Sequence, residues 1–279
     1  MERGILGVCG SISADVIGYG PRLPVAGETL LGSELLIASG GKGANQAVAA
    51  ARLGASVRLT GARGADAFGE LCAAALAADG VALDRVAVHD DTHTGVALIC
   101  VGEDGENQIL ALPGANGRCL PPEPCGARVW LCQAEVPHSA NAGVLAAAHQ
   151  DGALSVINPS PTHAIDRELL ARFDLAVVNE AEAAALEGFL PEARVVTLGA
   201  AGALLLPEGD ELPGLDVTAI DTTGAGDALC GTFAGGLAAG LPRRQALARA
   251  IVAAGISVER RGCQPSYATR TEVERRLRW

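Results

Sequence analysis

The chain has 279 residues, of which 49% are hydrophobic and 3% aromatic, and its formal net charge is −11. That hydrophobic share excludes disorder, and the length allows a sizeable core in one large or two small domains. An acidic balance with no basic stripe argues against a nucleic-acid partner; no apolar run nears the roughly 18 residues a membrane span needs and the first ten residues lack the basic start and cleavage site of a signal peptide, so a cytoplasmic protein is expected.

In chain order, a first strand through Val8-Cys9 runs into Gly10-Ser11-Ile12-Ser13-Ala14-Asp15. A dinucleotide fingerprint would need Gly-x-Gly-x-x-Gly there; the later glycines are missing, which argues against a Rossmann dehydrogenase. Residues 15–37 and 92–112 read as extended runs with polar breaks and no helical period. Asp104-Gly105, between apolar residues 98–101 and 108–110, signals a hairpin, either in a small sheet of its own or on the edge of the main sheet. Between these runs, Gly40-Gly41-Lys42-Gly43-Ala44-Asn45-Gln46 opens onto the alanine-rich helical pattern 47–53. A Walker A loop is excluded because Gly43, not Ser or Thr, follows Lys42. Lys42 is the only lysine of the chain, which suggests a compact, flexible donor rather than a planar fork.

From Val129 onward, short apolar strands at 129–132, 154–157, 175–178 and 194–198 alternate with helical patterns. Such alternation implies right-handed crossovers and a parallel sheet covered on both faces, hence an α/β body. The connection from Asn179 to Ala193 is short yet longer than the dozen or so residues a parallel crossover requires. Next, Asp221-Thr222-Thr223-Gly224-Ala225-Gly226-Asp227 precedes the small-residue helical run 228–240. Backbone N–H groups bare of side-chain cover at the positive end of a helix make an anion pocket, and Asp227 stands beside it. That pairing suits phosphoryl transfer, which needs charge stabilised on equatorial oxygens and a base for the attacking hydroxyl. By itself the peptide also permits a plain glycine turn with Asp227 as a first-turn acid. The arginine-rich end, 270–278, reads as a solvated helix face, and the eight cysteines, with no Cys-x-x-Cys spacing, read as core thiols rather than a zinc site.

Ten peptides stand in a fixed order: GSISAD (10–15), residues 24–29, GGKGANQ (40–46), TGVAL (94–98), GEN (105–107), GAN (114–116), NEAE (179–182), TLG (197–199), DTTGAGD (221–227) and RGCQPS (261–266). In content and order they resemble the paired signatures of the ribokinase (PfkB) family of sugar kinases over almost the whole chain, the ribokinase branch above all. The resemblance implies an α/β, ribokinase-like three-layer sandwich with a mostly parallel central sheet. It implies a single domain over 1–279 with a small β-sheet lid from segments 15–37 and 92–112, through which a homodimer would form. The implied activity is ATP-dependent phosphorylation of the primary hydroxyl of a pentose, D-ribose to D-ribose 5-phosphate. Another sugar or a nucleoside as acceptor, and a non-catalytic sugar sensor of the same fold, are the competing readings.

Residue by residue, the resemblance makes Asp227 the base and Gly224, Ala225 and Gly226 the anion pocket, with the amides of Ala225, Gly226 and Asp227 facing the transferred group. Ser13, Asp15, Gly41, Lys42, Gly43, Asn45, Glu135 and Asp227 would hold the sugar, Asp15 accepting two vicinal hydroxyls. The residues alone also allow a turn role for Asp15 and a helix-capping role for Glu135. Ser13 stands where ribokinases commonly carry Asn, which changes the hydrogen-bond reach near the sugar. Asn179, Thr197, Gly199, Gly202 and Gly226 would meet ATP, and Glu182 would order water around Mg2+. Asn179 and Glu182 at this spacing equally suit an N-cap and a first-turn acid. Asp221, Thr223, Ser257, Arg260, Gly262 and Ser266 would bind a monovalent cation, potassium, mostly through backbone oxygens. The segment from Asn179 to Arg194 is shorter than its family counterpart, so local packing near the nucleotide is the expected point of difference.

Overall fold

The computed structural model describes residues 4–277; Arg278, the last member of the basic run, lies outside them. The strands are β1 (Ile5–Cys9), β2 (Ser13–Gly20), β3 (Glu34–Gly40), β4 (Ser56–Gly64), β5 (Ala82–His89), β6 (Gly95–Gly102), β7 (Asn107–Leu112), β8 (Ala127–Gln133), β9 (Leu154–Asn158), β10 (Leu175–Asn179), β11 (Arg194–Thr197), β12 (Gly202–Leu206) and β13 (Asp210–Pro213). The α-helices are α1 (Lys42–Arg52), α2 (Ala67–Ala78), α3 (His138–Asp151), α4 (Arg167–Leu170), α5 (Glu180–Ala185), α6 (Ala225–Ala238), α7 (Arg243–Ser257) and α8 (Arg270–Arg276).

Nine strands form one sheet in the order β13-β12-β11-β10-β9-β8-β1-β4-β5. From β11 to β5 all neighbours are parallel, while β12 and β13 return antiparallel. Side-chain alternation along these strands produces the layers. Leu6 and Val8 of β1, Val129 and Leu131 of β8 and Leu175 and Val177 of β10 share one core with α1, α6 and α7. Cys9, Trp130, Cys132 and Ala176, their sequence neighbours, share the opposite core with α3 and α4. Strand β1 pairs with β4 on one side and β8 on the other, so the strand order reverses there and a crevice opens beyond the carboxyl ends. Gly10, Glu135, Asn158, Asn179 and Thr197 stand at or just past those ends.

A second, four-stranded sheet has the order β3-β2-β6-β7. The 104–105 hairpin therefore belongs to this sheet and not to the edge of the main one; Gly105 turns it with φ 83°. Asp66, the N-cap of α2, anchors the entry to β6: its carboxylate accepts from Thr94 N (2.8 Å) and Thr94 Oγ1 (2.7 Å). Below the sheet, the Cys72 thiol of α2 donates to Ser13 O (3.2 Å). Two helix starts differ from the periodicity: α1 begins at Lys42 and α6 at Ala225. Lys42 and Asn45 thus lie in the first helical turn and Gln46 opens the second, so all three are helix residues rather than loop residues. Among the described residues no helix is long and apolar enough to cross a membrane.

Candidate active site

Gly224 caps α6 in the left-handed conformation, φ 77°. A Cβ there would come within 2.8 Å of Tyr267 Oη and 2.9 Å of Cys263 Sγ, so both backbone angle and space call for glycine. Three bare amides were expected past this turn. The structure leaves two, because Ala225 N donates to Thr222 O (3.2 Å) within the turn itself; the amides of Gly226 and Asp227 have no acceptor among the described residues. Asp227, 8% exposed, is gripped from α1: Oδ2 accepts from Asn45 Nδ2 (3.0 Å) and Oδ1 from Gln46 Nε2 (2.8 Å).

Asp15, on β2, shares the pocket. Its half-buried carboxylate accepts no protein hydrogen bond among the described residues, and Gly40 lies so close that a Cβ would come within 2.3 Å of Oδ2. Burial first, then the carboxylates of Glu135 and Asp227, push the Asp15 pKa from 3.8 up to about 6. Burial pulls the Lys42 ammonium the other way, but Asp227, Glu135, Cys230 and Glu182 outweigh it and the net shift is upward. Lys42 therefore stays charged amid carboxylates, with no ion pair within 4.0 Å among the described residues. Glu135 Oε2 accepts from Lys42 N (3.1 Å) and from the Ser11 hydroxyl. It does not cap the following helix, whose N-cap is Pro137 with no side-chain bond.

Gly41 enters α1 at φ 88°, and a Cβ would lie 2.9 Å from Ser11 O and Ser13 N; at Gly43 a Cβ would meet Gly10 C at 2.5 Å. These contacts press α1 against the turn after β1, which is why Asp15, Lys42 and Glu135 face one space. Ser13 Oγ accepts from Asn116 Nδ2 (3.2 Å), and the same amide pairs with both Ile12 N and Ile12 O at 2.9 Å.

Beside this pocket lies a cleft of about 260 Å³ lined by Thr197, Gly199, Gly202 and Gly226, with apolar walls from Leu215, Val217, Leu229 and Val258. Asn179 and Glu182 form a reciprocal capping box at α5: Glu182 N donates to Asn179 Oδ1 (2.8 Å) and Asn179 N to Glu182 Oε2 (3.0 Å). Glu182 Oε1 accepts no hydrogen bond among the described residues, so one oxygen could order water around a divalent ion. Among the described residues no group of three His, Cys, Asp or Glu is placed to hold a metal ion directly; Mg2+, which keeps most of its waters, needs no such group.

Asp221 ties together the two segments expected to hold a monovalent cation, Oδ1 accepting from Thr223 N (2.9 Å) and Oδ2 from Gly262 N (2.8 Å). Burial raises its pKa, but these bonds and Arg261 outweigh that and hold it below the usual carboxylate range. Ser257 Oγ and Ser266 Oγ donate to Ala254 O (2.8 Å) and Cys263 O (2.7 Å), and the Arg260 guanidinium turns to Glu272.

The sequence pointed to no role for Ser11, Gln46, Asn116, Gln133, Asn158 or Gln264, although four of these stand in the ten peptides. The structure buries all six at 8% exposure or less. Their signal, polar residues in otherwise apolar surroundings, becomes readable only with burial.

Residues 6–270 match the family described as pfkB family carbohydrate kinase. The chain is 36% identical to a ribokinase of Haemophilus influenzae over 302 residues, covering 97% of each. It is 32% identical to a deoxyribokinase of Salmonella typhi over 291 residues, covering 94% of this chain and 95% of that one. A solved structure of Arabidopsis thaliana ribokinase complexed with ribose and ATP superposes with a TM-score of 0.89 at 30% identity, over 99% of both chains.

Proposed function

The chain belongs to the pfkB family of carbohydrate kinases, and from that premise we propose that it transfers the γ-phosphoryl group of ATP to the primary hydroxyl of D-ribose, giving D-ribose 5-phosphate and ADP. What carries the reading is the convergence of Asp227, the acceptor-free Gly226 and Asp227 amides, Asp15, Lys42 and Glu135 at one crevice beside an apolar cleft. In this mechanism Asp15 accepts two vicinal sugar hydroxyls, Gly41 and Gly43 bring the α1 backbone close, and Asn45, Ser13 and Glu135 complete the sugar contacts. The primary hydroxyl points at Asp227, which takes its proton while the new O–P bond forms and the bond to the ADP oxygen breaks. The Gly226 and Asp227 amides, presented by the Gly224-Ala225 turn, and the Lys42 ammonium meet the charge spreading over the equatorial oxygens. Thr197, Gly199, Gly202 and Gly226 line the nucleotide site.

Asn179 and Glu182 would hold Mg2+ through water; when bound, the ion neutralises phosphate charge. Asp221 and the backbone around Thr223, Ser257, Arg260, Gly262 and Ser266 would hold potassium. The small sheet serves as a lid within a single domain. Its exposed Leu35, Leu98 and Leu110 (64%, 41% and 59%), which the register places on one face of the sheet, opposite the face of Asp15, support a homodimer through that face. Eight free cysteine thiols suit a reducing cytoplasm.

A coupled ADP-release assay across pentoses, hexoses and nucleosides tests the reading; turnover highest with ribose is expected, and no turnover with any acceptor would overturn it. A second acceptor, 2-deoxyribose, is favoured by one observation: the 32% identity to a deoxyribokinase over 94% of this chain. The same panel separates the two.

A further inference from the structure

We infer that Gln46 is a positioning residue for Asp227, its amide locked in one orientation by Asn158 so that its nitrogen holds one oxygen of the base. The inference rests on the reading of Asp227 as that base. Its starting point is a group whose identity is not open to choice. Val177 O is a backbone carbonyl and can only accept; Asn158 Nδ2 donates to it at 2.9 Å, so Asn158 must turn its oxygen the other way. That oxygen accepts from Gln46 Nε2 at 3.2 Å, and the same nitrogen donates to Asp227 Oδ1 at 2.8 Å. On the far side of the amide, Gln133 Nε2 donates to Gln46 Oε1 at 2.6 Å.

A reversed Gln46 would set its oxygen against two oxygen acceptors, Asn158 Oδ1 and Asp227 Oδ1; Gln133, whose own oxygen has no partner among the described residues, follows the orientation of Gln46 and does not set it. The region is buried: Gln46 and Gln133 are 0% exposed and Asn158 8%. Bulk solvent is therefore shut out, and orientation propagates from a strand carbonyl to the carboxylate. Asp227 Oδ2 is fixed by a parallel arm, Asn45 Nδ2, whose own oxygen accepts from Gln264 Nε2 (3.0 Å). Two consecutive α1 residues thus set the carboxylate plane with neutral donors, adding no further positive charge that would lower its basicity. A base aimed in this way spends less of its barrier on orientation.

The test is a double-mutant cycle with Gln46→Met, which keeps the volume and removes the amide, and Asp227→Asn. Gln46→Met is expected to lower kcat by about 10- to 100-fold with KM for ribose and ATP changed less than about threefold, the pattern of lost orientation rather than lost binding. In the Asp227→Asn background the same substitution is expected to cost less than about threefold, because it acts through the carboxylate. Equal losses in both backgrounds, a KM rise with kcat unchanged, or no loss at all would overturn the inference. Should Gln46→Met lack a cooperative melt, Asn158→Ala, which keeps Gln46 but frees its amide to rotate, must show the same non-additivity with a smaller loss; additivity there also overturns it. Near-normal turnover in Asp227→Asn alone would instead sink the base assignment.

Discussion

Asp15→Asn is expected to stabilise the unliganded protein while abolishing tight sugar binding. The Asp15 pKa is raised from 3.8 to about 6, first by burial and then by Glu135 and Asp227. An acid whose folded pKa lies above its unfolded value makes the native state bind more protons between those two values. Stability therefore falls as pH climbs from about 4 to 6 and stays lower above that range. A shift of roughly 2.2 units at 1.36 kcal/mol each amounts to about 3 kcal/mol at pH 8, and the same expression leaves about 1 kcal/mol at pH 4.5. Asn keeps the shape and carries no charge to bury, and the wild-type carboxylate has no protein donor to lose among the described residues. An unfolding entropy near 2.1 cal/mol/K per residue over 279 residues is about 0.6 kcal/mol/K. The variant should then melt about 5 °C above wild type at pH 8 and within about 2 °C of it at pH 4.5. Thermal melts without sugar at both pH values decide the matter. A pH-independent difference, or a wild type that melts higher at pH 8, would refute the reasoning.

Asp227→Asn should lower kcat by about 10² to 10⁴, the range for removing a general base, in an ADP-release assay at saturating ribose. Gly224→Ala forces φ 77° on a residue with a Cβ and sets that atom 2.8 Å from Tyr267 Oη. A loss of about 1–3 kcal/mol in urea unfolding, with a fall in kcat as the anion turn shifts, is the outcome to look for. If the proposed dimer forms through the small sheet, replacing the exposed Leu110 by Asp should lower the mass from dimer to monomer in sedimentation velocity; a wild type that already sediments as a monomer, or a variant of unchanged dimer mass, would refute it.

Much of the architecture is written locally. The strand positions from Val129 onward follow from short apolar runs, and the anion turn follows from glycines before a helix, because both signals act within a few residues. The same local logic suggested a glycine loop through Gln46, whereas Gly43 sits inside α1, admitted there by close contact with Gly10. A helix start set by packing against a distant turn has no local marker. Likewise Glu135 read equally as a helix cap and a sugar contact, and only the approach of Lys42 N and Ser11 decided against the cap.

From the sequence alone came the α/β class, the two glycine-rich helix entries and the acid beside the second, since these depend on backbone freedom, side-chain period and helix dipole. The tertiary structure alone decided which polar residues surround that acid: Gln46 meets Asp227 across 181 positions, and Gln264 meets Asn45 across 219. Such pairings are chosen by the folding of whole layers onto one another, and the need to satisfy buried polar groups in the absence of water then selects amides that no neighbouring residue announces.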